Sequence, residues 1–296
     1  MSKDFSEILE IQVSKSFIDE LYEKKEIQNE FTETLPVLPG GFCFFIDEQN
    51  RKAVAINIMD DFCLIDSFKN KTLNGFKPKD VRQAIYFNLL VEEEFDIVVA
   101  LGAAGTGKTT IAVAQALSDY MTYKKKIILC KPTHLVQSHQ NHVFGPVPGD
   151  MQEKYAPYVG SFEIVLNKVM GEHGKSYLDA MVSKKHLEFM PVEFTRGCTF
   201  EHCTFILDEC QNLSWHELKT VLSRIGKDSK IILCGDPNQI DAGFSYKESG
   251  LYTLVESESF QDSDFTSIIK LIKQYRGRIP DLIYHIDKEI IKNNYE

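Results

Sequence analysis

The sequence predicts an α/β fold, in which helices flank a parallel sheet and a small subdomain of a helix plus a β-hairpin comes first. Six apolar runs of strand length, rich in β-branched residues, recur after residue 95: DIVVAL, KIILCK, LEFMPVEF, CTFILDE, SKIILCGD and FTSIIKLI. They lack polar–apolar alternation, which is typical of strands buried on both faces. Helical stretches separate several of them, and repeated strand–helix units favour parallel pairing.

The chain of 296 residues is long enough for one large domain and a smaller one, and we divide it into a subdomain at 1–75 and a main domain at 76–296. Apolar residues at helical spacing predict a helix over 14–28. The runs FCFFID and KAVAINI, joined by the turn-like EQNR, predict a β-hairpin that FCLIDSF continues.

Charge is uneven along this acidic chain, whose net charge is -10. That sum argues mildly against a protein coated in nucleic acid. No Asp or Glu occurs from Tyr120 to Gly149, however, where lysines and histidines are frequent. No apolar run is long enough to span a bilayer, the N-terminus lacks a secretory apolar region, and the seven cysteines show no tight pairing pattern. We therefore expect a cytoplasmic protein without a membrane partner, in the host cytoplasm if the source is viral.

The stretch GAAGTGKT at residues 102–109, called the P-loop below, fits the pattern G-x-x-x-x-G-K-[ST] between a predicted strand and a predicted helix. Glycines let the backbone N–H groups curl around phosphate, Lys108 would reach the β- and γ-phosphates, and Thr109 would bind Mg²⁺. An ordinary glycine-rich turn is the alternative. The pattern predicts an ATP site formed by Gly102, Ala103, Ala104, Gly105, Thr106, Gly107, Lys108, Thr109 and Thr110.

Two further strand ends carry candidate catalytic residues. CTFILDE ends in Asp208, which would hold Mg²⁺, and Glu209, which would act as general base on the attacking water. The alternative is an acidic strand-to-helix loop. After the next strand, GDPNQ contains Gln239, whose amide could hydrogen-bond γ-phosphate and the water. By itself GDPNQ could be a plain turn.

In this order the residues resemble the PhoH-like proteins, P-loop ATPases related to the first, RecA-like motor domain of superfamily 1 helicases. The resemblance covers about residues 76–285 and is carried by GAAGTGKTT, FGPVPGDMQEKYAPYVG, FTRGCTF, DECQN and LSRIGKDSKIILCGDPNQID. It implies a RecA-like sheet, and it implies that Gln83 reads adenine, with a surface glutamine as the alternative. Cys198 departs from the family pattern, which has a second arginine there, and Lys131 stands where the family tends to have arginine.

The resemblance also implies where a further cation comes from, because helicases of superfamily 1 take arginines from a second motor domain that this chain has no room for. The tail KLIKQYRGRIP carries Arg276 and Arg278, and the family pattern favours Arg278. Either arginine would reach the γ-phosphate of a neighbouring subunit, in a homo-oligomer such as a ring. A solvated basic helix start is the alternative.

The acid-free stretch after KIILCK lies where helicase motor domains contact the nucleic-acid backbone. The resemblance implies contacts from Lys131, Thr133 and His134, and from Arg196 in FTRGCTF. We expect sequence-independent binding of single-stranded RNA or DNA that salt weakens steeply. A solvated lysine run at a helix end is the alternative.

The expected function is ATP hydrolysis coupled to the binding or remodelling of single-stranded nucleic acid, as in a helicase. An ATP-gated oligomeric adaptor with little turnover is a second possibility. A P-loop kinase is a third, which the GDPNQ element disfavours. The sequence leaves open RNA against DNA, unwinding against binding, and the size of any oligomer.

Overall fold

Two sheets organise the chain, as seen in a computed structural model that describes residues 9–28, 37, 40–58, 61–65, 76–132, 163, 166–168, 171, 174–241, 243–279, 282 and 286. A five-stranded sheet lies near the N-terminus and a six-stranded sheet follows. The second sheet is parallel throughout and is flanked by helices, which confirms the predicted fold class.

The N-terminal sheet has the strand order β1-β3-β4-β5-β2. Its elements are β1 (Leu9–Gln12), α1 (Lys15–Lys24), β2 (Glu26–Gln28), β3 (Phe42–Ile46), β4 (Lys52–Ile58) and β5 (Asp61–Leu64). The predicted hairpin is present as antiparallel β3 and β4, and β5 continues it. The helix predicted over 14–28 is too long, because Lys25 adopts a left-handed φ of 67° that ends α1. The chain then enters β2, which pairs with β5.

This small sheet shares a core with the main sheet. Ile56 and Ile65 belong to the same buried cluster as Tyr86 and Leu89 of the main domain. The Ser267 hydroxyl donates a 2.7 Å hydrogen bond to the Gly40 carbonyl, which fixes the loop before β3 against the main sheet. The subdomain therefore packs directly on the sheet that follows it.

The main sheet has the order β11-β6-β10-β9-β7-β8. Its strands are β6 (Ile97–Leu101), β7 (Lys126–Lys131), β8 (Leu187–Pro191), β9 (Cys203–Leu207), β10 (Lys230–Gly235) and β11 (Thr266–Lys270). Each apolar run from the sequence contains one of them. The run LEFMPVEF is extended only as far as Pro191, because a 3-10 turn over Val192–Thr195 follows, in which the Thr195 hydroxyl donates to the Val192 carbonyl.

Helices cover both faces of this sheet. They are α2 (Val81–Val91), α3 (Lys108–Tyr123), α4 (Gly174–Ser183), α5 (Trp215–Leu222), α6 (Gly250–Val255) and α7 (Glu258–Gln261). The apolar sides of α2 and α3 pack into one buried cluster, and those of α5 and α6 pack into a second. Within the described ranges, none of the helices combines the length and apolar character that crossing a bilayer requires.

A capping box begins α5, because Ser214 and Glu217 exchange side chain–backbone hydrogen bonds as their spacing predicts. The sequence SWHELKTVLSRIG also predicts that Gly226 ends this helix, and this prediction is wrong, since α5 stops at Leu222. Gly226 instead donates its N–H to the Phe200 carbonyl at 2.7 Å, and a Cβ there would lie 2.7 Å from Cγ of Glu201.

Because the pairing is parallel, the amino ends of all six strands lie at one edge of the main sheet and their carboxyl ends lie at the opposite edge. At the carboxyl edge, the P-loop follows β6, Asp208 follows β9, GDPNQ follows β10 and the arginine-bearing tail follows β11. Since β6 lies between β10 and β11, these segments are spatial neighbours. Ligands of open α/β sheets bind at this edge.

Candidate functional site

Two P-loop glycines have left-handed backbone angles that glycine adopts easily, with φ of 86° at Gly105 and 101° at Gly107. Neighbouring side chains also leave no room there, since a Cβ would lie 2.7 Å from Cγ of Arg276 and 2.9 Å from Nε2 of Gln83, respectively. Gly107 is the N-cap of α3 and supplies no capping side chain. The first-turn N–H groups therefore lack an intrahelical acceptor at the positive end of the helix, which favours an anion.

The Lys108 side chain folds across the P-loop. Its Nζ donates hydrogen bonds to the carbonyls of Gly102 and Ala103, the second at 3.1 Å. An ammonium has three donors, so it can keep a loop contact while it meets a phosphate oxygen. The Gly102 N–H donates to the Gly235 carbonyl at 3.1 Å, which ties the loop to β10. The loop thus holds a cation in place before any ligand arrives.

A hydroxyl and a carboxylate meet between the P-loop and β9, because Thr109 Oγ1 donates to Asp208 Oδ1 at 2.9 Å. Asp208 is buried, and this burial, with the nearby charge of Glu209, raises its pKa above the ordinary value. The cations Lys131 and Lys108 oppose that rise. Hydroxyl and carboxylate oxygens are ligands that Mg²⁺ prefers, so the pair fits a magnesium ion that would offset the buried charge.

Asp208→Asn is expected to stabilise the ligand-free fold near neutral pH. Because the folded-state pKa of Asp208 is raised from 3.8, folding favours the protonated acid, and the stability contribution is lost as the pH rises from 3.8 through the folded-state value. Asparagine is neutral, and its Oδ1 can still accept the Thr109 hydroxyl. Denaturant unfolding from about pH 4 to about pH 7 would show the gain growing with pH. An equal gain from Asp264→Asn, at an exposed acid, would contradict this explanation.

Glu209 sits in a left-handed backbone conformation with φ of 55°, which is uncommon for a residue with a side chain. Its carboxylate has partners on two sides. Oε1 lies 3.9 Å from Nζ of Lys131, and Oε2 accepts a 2.8 Å hydrogen bond from Nε2 of Gln211. Strained backbone at a cleft is typical of functional residues. The side chain is 39% exposed, so water can reach the carboxylate.

Gln211 is a site residue that the sequence reasoning missed. It is fully buried and its amide joins three segments. Besides Glu209, Nε2 donates to the Gln239 carbonyl at 2.8 Å, and Oε1 accepts from the Asp236 N–H at 3.0 Å. The amide thus connects the end of β9 with the loop after β10. The only signal in the sequence was an amide two residues after Glu209 in DECQN.

These segments line a cavity of about 210 Å³ at the carboxyl edge. The P-loop and the first turn of α3 contribute Ala104, Gly105, Gly107, Lys108, Thr109 and Thr110, while Lys131 from β7 and Asp208 and Glu209 after β9 add three further charged side chains. Phe76, Lys79, Gln83 and Tyr275 line it too. The predicted residues Gly102, Ala103 and Thr106 do not line the cavity and support the loop through hydrogen bonds instead.

Gln83 lies at the cavity, but both amide atoms already have backbone partners. Nε2 donates to the Thr106 carbonyl at 2.8 Å and Oε1 accepts from the Lys79 N–H at 2.8 Å. Tyr275 was not predicted: its hydroxyl donates to an Asp80 carboxylate oxygen and its ring lies 4.6 Å from Nζ of Lys79. The structure thus gives Gln83 a supporting role toward the P-loop, and adenine reading stays a prediction.

The two tail arginines lie differently. Both are exposed, but Arg276 lines the cavity of its own chain and packs its aliphatic carbons on Gly105, whereas Arg278 does not line that cavity. The side chain of Gln239 is exposed, and its carbonyl is the atom in the site network.

The structure describes two of the four predicted nucleic-acid contacts, and these two lie in different places. Lys131 lines the cavity, while Arg196 is exposed on the turn after β8. Thr133 and His134 lie outside the described residues.

A parallel sheet whose carboxyl edge combines a P-loop, a threonine–aspartate pair and an adjacent glutamate defines a protein of the P-loop NTPase class. A family model described as "PhoH-like protein" matches residues 75–285. The chain therefore belongs to the PhoH family, which confirms the resemblance drawn from its motifs.

Curated relatives agree with this assignment. Protein PhoH2 of Bacillus subtilis (strain 168) is 28% identical over 285 residues, which are 94% of this chain and 63% of that protein. The PhoH-like protein of the same organism is 36% identical over 177 residues, 60% of this chain and 52% of that protein. The chain thus spans between about half and two thirds of these relatives.

Among solved structures, the crystal structure of Pif1 helicase from Candida albicans is 17% identical, with a TM-score of 0.35 over 68% of this chain and 41% of that chain. A likeness of this size supports no conclusion about function.

Proposed function

We propose that the chain binds ATP with Mg²⁺ in this cavity and hydrolyses it to ADP and phosphate. The observation that carries the proposal is the 2.9 Å hydrogen bond from Thr109 to Asp208, because it joins the P-loop to the acidic strand end. These two side chains would hold the ion, which supplies charge neutralisation at the β- and γ-phosphates when bound. Lys108 and the first-turn N–H groups of α3 would hold the phosphate oxygens.

Glu209 is the proposed general base. A water oxygen forms a bond to the γ-phosphorus while the bond from that phosphorus to the bridging oxygen breaks, and the water's proton passes to the Glu209 carboxylate. Lys131 and Gln211 orient this carboxylate through the contacts described above. We further propose that the Gln239 amide contacts γ-phosphate and that Gln211 transmits its position to Glu209.

Gln211→Leu is expected to lower turnover about 10- to 100-fold with little change in KM, because Glu209 loses the donor that orients it. Steady-state kinetics with circular dichroism would measure this. Gln115→Leu is a matched control, since Gln115 is also buried and hydrogen-bonds Asp119 away from the cavity. An equal loss of turnover in both variants would reduce the role of Gln211 to folding.

Arg276→Ala is expected to lower turnover about 100-fold, because Arg276 lines its own P-loop cavity and would neutralise charge on the γ-phosphate.

Arg278 is proposed to act on a neighbouring subunit in a homo-oligomer such as a ring. Mixing subunits separates the two roles. Arg278→Ala mixed with Glu209→Gln should regain turnover, because each supplies what the other lacks, whereas Arg276→Ala mixed with Glu209→Gln should not. Recovery in the second mixture would place Arg276 in trans.

We also propose that hydrolysis is coupled to single-stranded RNA or DNA at the carboxyl edge, through Lys131, Thr133, His134 and Arg196. What supports this is the position of Lys131, whose ammonium lies 3.9 Å from the proposed base. A nucleic-acid phosphate bound by Lys131 would draw its ammonium away from Glu209. This would change the electrostatic environment of the carboxylate that is the proposed general base.

The test of the proposed function is turnover of γ-labelled ATP with and without single-stranded RNA and DNA, on protein sized by light scattering. Free labelled phosphate, released faster with nucleic acid, is the expected result. Absence of any product would favour the ATP-gated adaptor. Label on another acceptor would favour a kinase.

A further inference from the structure

The amino edge of the main sheet carries a cluster of lysines that the proposed reaction does not use. Lys124, Lys125 and Lys126 lie between α3 and β7, and Lys184 and Lys185 lie between α4 and β8. Because β7 and β8 are paired, with Ile127 opposite Leu187, the two segments are neighbours. Strand β7 separates them from Lys131 at the cavity by about 17 Å.

Aromatic side chains lie among these lysines. The Tyr120 and His186 ring centroids are 5.2 Å apart, and Nζ of Lys124 lies 5.3 Å from the Tyr120 ring centre. Tyr123 is 54% exposed and Tyr177, on α4, is 36% exposed. Large aromatic side chains exposed beside several cations differ from an ordinary solvated lysine face. We call Tyr123, Tyr177, Lys124, Lys184 and Lys185 the amino-edge surface.

The acids nearby neutralise only part of this charge. Glu188 forms a 2.8 Å ion pair with Lys126, and Lys125 lies close enough to Asp96 and Asp119 to act on their ionisation. Across the described ranges, Lys184 and Lys185 form no ion pair. Nζ of Lys124 has only neutral partners there, the Met121 carbonyl and the Tyr120 ring. Lysines also stabilise the ends of helices, which explains the charges but leaves the exposed tyrosines unexplained.

We propose that the amino-edge surface binds single-stranded nucleic acid, with its lysines on the phosphates and with Tyr123 and Tyr177 stacked on bases. It would be a second contact, distinct from the proposed one at the carboxyl edge, and it rests on the proposed coupling to nucleic acid. None of its residues lines the cavity, so it would hold a strand whether or not nucleotide is bound.

Fluorescence anisotropy with labelled oligo(U) and oligo(dT) of roughly 20 nucleotides, without ATP, tests the proposal. Replacing Lys124, Lys184 and Lys185 by glutamine should weaken binding about ten-fold or more and reduce the salt slope by about 2, since each phosphate contact contributes about 0.7 for single strands. The matched control replaces Lys15, Lys25 and Lys247, which are exposed elsewhere, and should bind as wild type does.

Tyr123→Ala with Tyr177→Ala should weaken binding about five-fold or more at an unchanged salt slope.

ATP turnover without nucleic acid should be unchanged in all three variants. A failure of the proposed hydrolysis is therefore visible separately from a failure of this surface.

Three kinds of result would overturn the proposal. The first concerns binding itself: wild-type protein that does not bind, or a lysine variant that binds as the control does. The second is polyglutamate competing as well as oligo(U), which would indicate a surface for acidic proteins. The third is a change in the mass measured by light scattering in the lysine variant, which would indicate a subunit contact.

Discussion

Lys108→Ala is expected to lower kcat/KM for ATP about 10³-fold or more and to weaken nucleotide binding as well. The ammonium lies at the centre of the P-loop, where it bonds two loop carbonyls and would meet the β- and γ-phosphates. Alanine removes that charge and leaves those carbonyls facing the phosphates. Calorimetry with MgATP and steady-state kinetics would measure the two effects.

Lys108→Arg tests whether charge alone is sufficient. A guanidinium is planar and larger than an ammonium, so we expect it to fit poorly between the Gly102 and Ala103 carbonyls and to recover little turnover. Lys247→Ala, at an exposed lysine, is the control and should leave both measurements unchanged. Wild-type affinity and turnover in Lys108→Ala would remove the P-loop from the proposed chemistry.

Glu209→Gln is expected to lower turnover about 10³-fold while MgATP affinity stays within a few-fold of wild type. The amide cannot accept the water's proton, yet its oxygen can still accept the hydrogen bond from Nε2 of Gln211. Binding and hydrolysis should therefore separate in this variant. Nucleotide binding by calorimetry, paired with single-turnover kinetics, measures both.

The control for this variant is Glu23→Gln, at an exposed acid on α1. Retention of turnover in Glu209→Gln would assign the base to another group and would favour the ATP-gated adaptor. Loss of binding together with turnover would instead mean that Glu209 supports the shape of the site, as its left-handed φ of 55° would allow.

The main sheet could be predicted from sequence because each strand is a buried apolar run that is visible locally, as in KIILCK and SKIILCGD. Strands β1 and β2 could not be predicted in this way. They have four and three residues, carry polar side chains, and are fixed by pairing with β3 and β5 rather than by their own pattern. Apolar residues at helical spacing predicted a helix through residue 28, but the pairing of β2 with β5 makes its last residues a strand.

The residues of the candidate site likewise include some that local sequence predicts and some that it does not. Lys108, Thr109, Asp208 and Glu209 were predicted because the residue type and its place at a strand end carry the chemistry. Gln211 was missed because its role depends on a loop 28 residues further along the chain.

The same limit applied to the tail. Tyr275 bonds Asp80 across 195 residues of sequence, which no local pattern indicates. Whether Arg276 or Arg278 lies nearer the P-loop likewise depends on the path of the tail after β11.

The shared core described above has a practical consequence for expression. The family match begins at residue 75, yet Ile56 and Ile65 occupy the same buried cluster as Tyr86 of α2. A polypeptide trimmed to the matched region would expose that apolar face to water and would tend to aggregate through it. The limits of the sequence family and the limits of an autonomously soluble fragment therefore differ in this chain.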